Sequence, residues 1–229
     1  MQKKQVDNDF SCLNSILDNR YSCRAFLKKK VSTTIISKLL TTAQKVPSWC
    51  NAQPWQVQIL SGGSLLRLKN LALKNAKTGM YKPDINFPEA YLGVYKDRRR
   101  ECAIQLYDSV EITMGDRVAS KEQALKNFSF FGAPNVAVVT APDELGTYGV
   151  LDCGAYITAF TLAATSLGLG SIPQAALAAV SPILRNFLKI PINRNIVCVI
   201  SFGYADEKDR VNLFRTSRAS ESDVQKLAV

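Results

Sequence analysis

The chain has 229 residues, of which 47% are hydrophobic and 21% are charged, so a folded domain with a substantial core is expected, and disordered or collagen-like classes are excluded. Lysine and arginine outnumber aspartate and glutamate by 29 to 19, but they are dispersed and no nucleic-acid-binding motif accompanies them, so the net charge of +10 favours anionic small molecules over nucleic acid. There is no histidine and the six cysteines are far apart, which excludes Ser-His-Asp catalysis and argues against a metal site or a disulfide framework.

The first third of the chain predicts helices and one strand. The N-terminus turns polar and acidic where a signal peptide would become apolar, and no apolar run is long enough to span a membrane. A cytoplasmic protein without a membrane partner is therefore expected. Helical spacing of apolar residues predicts helices over 9–19 and 32–45, the second with Ser32 as its N-cap. Alternating polarity predicts a strand over 55–60, and a helix over 64–76 follows.

The rest of the chain continues this alternation of helices and strands. Residues 78–94 are rich in proline, glycine and aromatic side chains, which predicts a surface excursion. The remaining predicted elements are helices over 97–113, 121–131, 149–167 and 181–188, and buried strands over 135–140 and 195–203. Helices separated by a few strands predict one α+β or α/β domain over 1–229, with a polar, weakly periodic tail from 205.

The sequence Arg20-Tyr21-Ser22-Cys23-Arg24 is the first candidate binding motif. In an extended segment, residues two apart share a face, so Arg20, Ser22 and Arg24 would present two guanidiniums and a hydroxyl together. Such a group suits a phosphate or another anion. By itself the motif also fits an ordinary exposed loop.

Two further segments have the composition of ligand-binding backbone. Residues 47–55 read Pro-Ser-Trp-Cys-Asn-Ala-Gln-Pro-Trp, in which two prolines bracket short polar side chains in a stiff loop. An ordinary connection is the alternative reading of this loop. Residues 168–176 read Gly-Leu-Gly-Ser-Ile-Pro-Gln-Ala-Ala, whose small residues let a planar ligand approach the backbone, although the spacing is not that of a dinucleotide fingerprint.

In this order, the three segments resemble the nitroreductase superfamily of FMN-dependent oxidoreductases, and the resemblance covers most of the chain. Residues 201–204, Ser-Phe-Gly-Tyr, extend it, and the middle of the chain is similar to the branch of nitroreductases and nitrobenzoate reductases. The resemblance implies an α+β sandwich with a central, mostly antiparallel sheet flanked by helices. It also implies an intertwined homodimer with two FMN sites at the subunit interface, in which 205–229 wraps around the partner subunit.

The resemblance further implies which residues hold the cofactor. Arg20, Ser22 and Arg218 would bind the FMN phosphate, Arg24 would lie near N1 and O2 of the flavin ring, and a backbone N–H of Ala175 would face N5. Tyr21 stands where relatives usually have arginine or histidine. The complete implied set is Arg20, Tyr21, Ser22, Arg24, Ser48, Asn51, Gln53, Pro173, Gln174, Ala175, Ala176 and Arg218.

The reaction implied by the resemblance is a ping-pong hydride transfer. NADH or NADPH would give hydride to flavin N5 and leave, and a nitroaromatic or quinone-like acceptor would then bind in its place. No catalytic side chain is required because the flavin carries the chemistry. The alternatives are another flavin reaction on the same fold, by a dehydrogenase, oxidase or reductive dehalogenase, or a basic protein that binds anions or nucleic acid.

Overall fold

A four-stranded antiparallel sheet forms the centre of the computed structural model, which describes residues 2–225. Its strands are β1 (Gln56–Ser61), β2 (Asn135–Pro142), β3 (Gly170–Gln174) and β4 (Arg194–Gly203). They lie in the order β1-β2-β4-β3, so β1 and β3 form the edges. The central strands β2 and β4 are largely buried because helices cover both faces of the sheet.

Helices surround this sheet on both sides. Within the described residues they are α1 (Gln2–Asn19), α2 (Thr33–Ala43), α3 (Gly62–Thr78), α4 (Val94–Ser109), α5 (Arg117–Leu125), α6 (Gly146–Ser166), α7 (Ser181–Leu188) and α8 (Glu221–Val224). One core lies between the sheet and α3 with α7, and the other between the sheet and α2 with α6. The predicted α+β fold with a mostly antiparallel central sheet is therefore confirmed. None of the described helices is long and apolar enough to cross a membrane.

Strand β2 shows how one apolar run supplies both cores. Val136 and Val138 belong to the core under α3, whereas Ala137 and Val139 belong to the core under α6. Successive strand side chains point to opposite faces, so a continuous apolar run is what a strand covered on both sides requires. This is why the sequence predicts a buried strand here without any alternation of polarity.

The predicted elements correspond to elements of the structure except in two places, with ends that shift by several residues in α1 (predicted over 9–19), α4 (97–113) and the start of α5 (predicted from 121). Ser32 does cap α2, where its hydroxyl accepts the Ile35 N–H at 3.3 Å. The helix predicted over 121–131 is wrong in its second half: α5 ends at Leu125 and a 3-10 segment, Lys126–Gly132, follows with left-handed backbone at Phe130 and Phe131. The sequence does not predict strand β3, because Gly170 and Pro173 are poor strand formers. In the structure, pairing with β4 at the edge of the sheet outweighs this local preference.

The first part of the tail folds back on its own chain. The Asn212 side chain accepts the Arg24 N–H at 2.7 Å and donates to the carbonyls of Ala25 and Asp206 at 2.9 and 2.8 Å. Residues 213–225 are mostly exposed and contain only the short helix α8 within the described chain. The wrapping of 205–229 around a partner remains a prediction, and residues 226–229 lie outside the described residues.

Candidate functional site

The segment Arg20–Arg24 is fixed against β3 by backbone contacts. Ser22 forms a parallel bridge with Ser171, and the Cys23 N–H donates to the Ser171 carbonyl at 3.1 Å. A Cβ at Gly170 would lie 2.7 Å from the Cys23 sulfur, so glycine is required for this close approach. With the Cys23 side chain buried inward, its neighbours in this extended segment face outward.

Arginines from both ends of the chain line one cavity of about 640 Å³ beside this segment: Arg20, Arg24, Arg215 and Arg218. Within the described chain, Asp18 is the one acidic residue in its wall. Burial lowers the pKa of the Arg20 guanidinium, and the positive charges of Arg218 and Arg215 lower it further. Because these like charges converge without matching carboxylates, the cavity is suited to an anion.

Aromatic rings orient two of these guanidiniums. Arg215 lies 3.8 Å from the centre of the Tyr21 ring, and Arg24 lies 5.5 Å from the centre of the Phe214 ring. Burial raises the pKa of Tyr21 to about 12, with smaller effects from nearby groups, so its hydroxyl is neutral at physiological pH. Arg24 also donates to the Ser22 carbonyl at 3.1 Å. Tyr21 therefore stabilises the Arg215 cation and carries no positive charge itself.

A second cavity of about 310 Å³ adjoins the first and shares Ser22, Arg24 and Pro173 with it. Residues 173–176 form one of its walls. The Gln174 side chain is 2% exposed, donates to Asn127 at 3.1 and 3.2 Å, and accepts the Ser201 hydroxyl. Its amide is therefore fully used inside the protein, and Ala175 and Ala176 leave the backbone accessible beside it.

The loop over 47–54 lies apart from both cavities in this chain. The Ser48 hydroxyl accepts the Gln53 N–H at 2.9 Å, and the Gln53 amide donates to the Asn51 side chain at 3.1 Å. None of these three residues lines either arginine-bordered cavity. A single chain therefore assembles only part of the site predicted from the sequence. It brings residues 20–24, 173–176 and Arg218 to the two adjoining cavities, whereas the loop over 47–54 lies outside both of them.

This loop is strained, and α6 anchors it. Cys50, Asn51 and Gln53 have φ values of 48°, 56° and 47°, a left-handed conformation that costs roughly 1–3 kcal/mol for residues other than glycine. The Trp49 N–H donates to both oxygens of the buried Asp152 carboxylate at 3.1 and 3.2 Å. Strained backbone of this kind persists where the surroundings fix it, and it is common at binding sites.

Comparison with known proteins decides the family. The model of the Nitroreductase family matches residues 17–204, which include the arginine segment, the strained loop and the 173–176 wall. The chain belongs to the nitroreductase family. Among curated relatives of this nitroreductase, the 4-nitrobenzoate reductase of Pseudomonas putida is 30% identical over 90% of each chain. The nitroreductase NfnB of Mycolicibacterium smegmatis is 29% identical over 93% of this chain and 91% of its own.

Solved structures of other nitroreductases share the fold. The FMN-dependent nitroreductase NfnB from Mycobacterium smegmatis, solved in complex with NADPH, superposes with a TM-score of 0.92 at 29% identity, covering 96% of this chain and 99% of the other. A nitroreductase with bound FMN from Desulfitobacterium hafniense has a TM-score of 0.61 at 21% identity, covering 95% of this chain and 98% of the other. The second likeness shows the fold alone.

Sequence reasoning missed several residues of the arginine-bordered cavity. Phe214, Arg215, Thr158 and Thr161 all line it. The two threonines are three residues apart on α6, so they share one helical face, yet in the sequence they only interrupt an apolar stretch. Polar residues repeated at helical spacing within a buried helix are the signal that could have identified this wall.

Proposed function

We propose that this nitroreductase is an FMN-dependent NAD(P)H oxidoreductase that reduces nitroaromatic or quinone-like acceptors in a ping-pong reaction. The observation that carries the proposal is the convergence of Arg20, Arg215 and Arg218 on a single cavity next to Ser22. Solved relatives described as FMN-dependent and in complex with NADPH support the choice of cofactor and of co-substrate. The names of the curated relatives support a nitroaromatic acceptor.

The residues present fit a phosphorylated flavin. Guanidiniums that lack partner carboxylates, together with the Ser22 hydroxyl, form the donor set that a phosphate requires. The adjoining cavity has the backbone of residues 173–176 along one wall and Arg24 at its boundary with the first. We infer that Arg20, Ser22 and Arg218 hold the phosphate and that 173–176 face the ring.

The chain's own residues act by binding and orientation. The chemistry that FMN would supply when bound is hydride transfer from NAD(P)H to the acceptor. Arg24 would place a fixed positive charge beside the ring and thereby favour negative charge there. The backbone wall of 173–176 would cover one face of the ring and leave the other face to the two substrates in turn. Binding of either substrate requires no side chain that gains or loses a proton. This agrees with a chain that lacks histidine.

We further infer that a second copy of the chain completes the site. Helix α1 exposes the apolar stripe Val6, Phe10, Leu13 and Leu17, and Leu17 itself lines the arginine-bordered cavity. On α6, Tyr148 and Leu151 are exposed, and the Tyr148 ring contacts Trp49, which is 66% exposed. An exposed apolar surface that borders a cavity is typical of a subunit interface. In a homodimer the partner's strained loop, with Ser48, Asn51 and Gln53, would cover the flavin.

The proposal is tested by separating the two halves of the reaction. Purified protein is expected to retain FMN and to lose its visible flavin absorption when NADPH or NADH is added anaerobically without acceptor. Addition of 4-nitrobenzoate after removal of the nicotinamide should restore the absorption. Steady-state rates at several fixed acceptor concentrations should give parallel double-reciprocal lines.

Three results would contradict the proposal in different ways. Protein that binds no flavin would refute the cofactor assignment. Flavin that is bleached only when the acceptor is also present, with intersecting double-reciprocal lines, would refute the ping-pong order. Flavin that neither nicotinamide reduces would instead indicate an oxidase or dehydrogenase on the same fold.

A further inference from the structure

The side chain of Gln123, in the last turn of α5, is buried without a hydrogen-bond partner among the described residues. Gln123 is 5% exposed and lines the cavity of about 310 Å³, together with Ser22 and Arg24. Neither polar atom of its amide is fully enclosed, although neither has a partner, so the amide reaches the open space of the cavity. Unpartnered polar groups at this burial are rare in folded proteins and call for an explanation.

The other two side-chain amides that line this cavity are already engaged within the protein. The Asn127 amide donates to the Ala124 carbonyl at 3.0 Å, and its oxygen accepts the Gln174 amide at 3.2 Å. Gln174 in turn accepts the Ser201 hydroxyl. Within the described chain, Gln123 is therefore the one amide of this wall whose donor and acceptor are both available to a ligand.

The chemistry of a free amide limits what can satisfy it. A carboxamide offers an acceptor oxygen and an NH2 donor side by side. An anion would pair with the donor and leave the oxygen unpaired, and an apolar ring would pair with neither, at the cost of burying polar groups without partners. A neutral ligand edge with a donor next to an acceptor satisfies both atoms.

The outer edge of the flavin ring has this pattern, since O2, the N3–H group and O4 follow one another along it. In the proposed site Arg24 lies beside the ring and residues 173–176 face it, and both line the same cavity as Gln123. A cation leaves the N3–H donor of that edge unpaired, whereas an amide oxygen can accept it. Gln123 thus supplies the acceptor that the arginines lack.

We propose that Gln123 recognises this edge of the flavin, with its amide oxygen accepting from N3–H and its amide nitrogen donating to O4. The inference rests on the proposed function, because it requires FMN in this cavity. Two directed hydrogen bonds fix the rotation of the ring against the 173–176 wall, which the single charge of Arg24 does not. The carboxamide of NAD(P)H has the same pattern of donor and acceptor, so the experiment separates the two ligands.

Titration of the full-length protein, freed of flavin by dialysis, with FMN and with 3-methyl-FMN tests this contact. In 3-methyl-FMN a methyl group replaces the N3 hydrogen and removes the donor. We expect the parent to bind FMN about tenfold more tightly than 3-methyl-FMN, and Gln123→Ala to bind FMN about tenfold more weakly than the parent does. Gln123→Ala should bind the two flavins with affinities within about twofold of each other, because the group that distinguishes them is gone.

Two further variants serve as controls. Gln123→Glu keeps an acceptor oxygen but loses the amide donor, so it should bind FMN more weakly than the parent and still prefer FMN to 3-methyl-FMN. Asn70→Ala, which removes an exposed amide from α3, should keep the affinity and the preference of the parent. The thermal unfolding midpoint of each flavin-free variant verifies that it is folded.

The outcomes separate this inference from the proposed function. If the parent binds FMN and Gln123→Ala binds it equally well, or still prefers it to 3-methyl-FMN about tenfold, the contact is overturned and the cofactor assignment stands. If Gln123→Ala changes only the dissociation constant of NADP⁺ from the FMN-loaded protein, the amide faces the nicotinamide and the contact is likewise overturned. A parent protein that binds neither flavin would overturn the proposed function and this contact together.

Discussion

The arginine-bordered cavity and the loop over 47–54 are two parts of one predicted site, and the chain builds them differently. The cavity is assembled from both ends of the sequence, with Arg20 and Arg218 brought together beside β3. The loop is local in sequence, strained at three residues and anchored through Trp49 to Asp152. One part is thus complete within a single chain, and the other is rigid but faces outward.

This difference shows what each part needs in order to function. Proximity strengthens anion binding by the arginines, since like charges brought together favour a common anion. Rigidity strengthens ligand binding by the loop, since a segment already held in one conformation presents its polar groups without an entropic cost of ordering when the ligand binds. In the proposed homodimer, a rigid loop that faces away from the cavity of its own chain would be available to the cavity of the second copy.

Disruption of the proposed interface should have the largest effect. Leu151 is exposed on α6, three residues after Tyr148 and therefore on the same helical face, and Leu151→Arg would place a charge on the exposed apolar surface. We expect this variant to sediment as a monomer and to bind FMN at least about thirtyfold more weakly, the effect of losing an interface residue that contributes strongly to binding. Analytical ultracentrifugation and flavin fluorescence titration measure the two outcomes.

A matched control separates this effect from general surface damage. Leu71 is also exposed, on α3, which packs against the face of the sheet opposite to α6. Leu71→Arg should keep both the oligomeric state and the FMN affinity of the parent protein. A monomeric Leu151→Arg variant with undiminished FMN affinity would show that the loop of a second copy is not needed.

Removal of one guanidinium should have the next largest effect. Arg20→Ala removes a cation that lies close to Arg218 and Arg215. We expect FMN retention to weaken by at least about tenfold, because a charged hydrogen bond contributes ~1.5–3 kcal/mol. The measurement is the FMN dissociation constant after dialysis, with Arg117→Ala, an exposed arginine on α5, as control. Equal affinities in the two variants would remove Arg20 from the phosphate site.

The sequence allowed the arginine part to be predicted far better than the arrangement of the loop. Alternation in an extended segment places Arg20, Ser22 and Arg24 on one face, and the structure brings them to one cavity. The loop was recognised by its prolines and amides, but its position depends on the contact between Trp49 and Asp152, which are 103 residues apart. Long-range contacts of this type leave no local pattern in the sequence.

The same limit explains the errors in the fold. The apolar runs of β2 and β4 specified central strands because burial on both faces needs nothing but apolar residues. The left-handed residues Phe130 and Phe131 could not be foreseen, because phenylalanine has no local preference for that conformation. Tertiary packing sets these positions.

Loss of the loop anchor should have a smaller effect than loss of an arginine. Asp152→Ala removes the acceptor of the Trp49 N–H and leaves the residues of the arginine-bordered cavity in place. We expect FMN affinity to fall by about fivefold, less than the full value of a charged hydrogen bond, because the loop retains its other contacts. Glu144→Ala, an exposed acidic residue just before α6, is the control for lost negative charge. If Asp152→Ala binds FMN as the parent does, the anchored conformation of the loop is not the binding conformation.

The smallest effect concerns a thiol in each part. Burial raises the pKa of Cys23 from its ordinary value to about 11, whereas Cys50 is exposed in the loop. Because the folded protein holds the Cys23 proton more tightly than the unfolded chain does, this contribution to stability is complete below about pH 9 and is lost as the pH rises toward 11. The free energy of unfolding in urea should therefore fall between about pH 9 and about pH 11. The fall should be smaller in Cys23→Ala, in which the titrating group is absent, and as large as in the parent in Cys50→Ala.

An equal fall in Cys23→Ala and in the parent would contradict this prediction. Other buried groups would then account for the whole loss of stability at alkaline pH, such as Cys153 and Cys198, whose pKa values burial also raises. The segment next to the arginine-bordered cavity would then contribute nothing through its thiol.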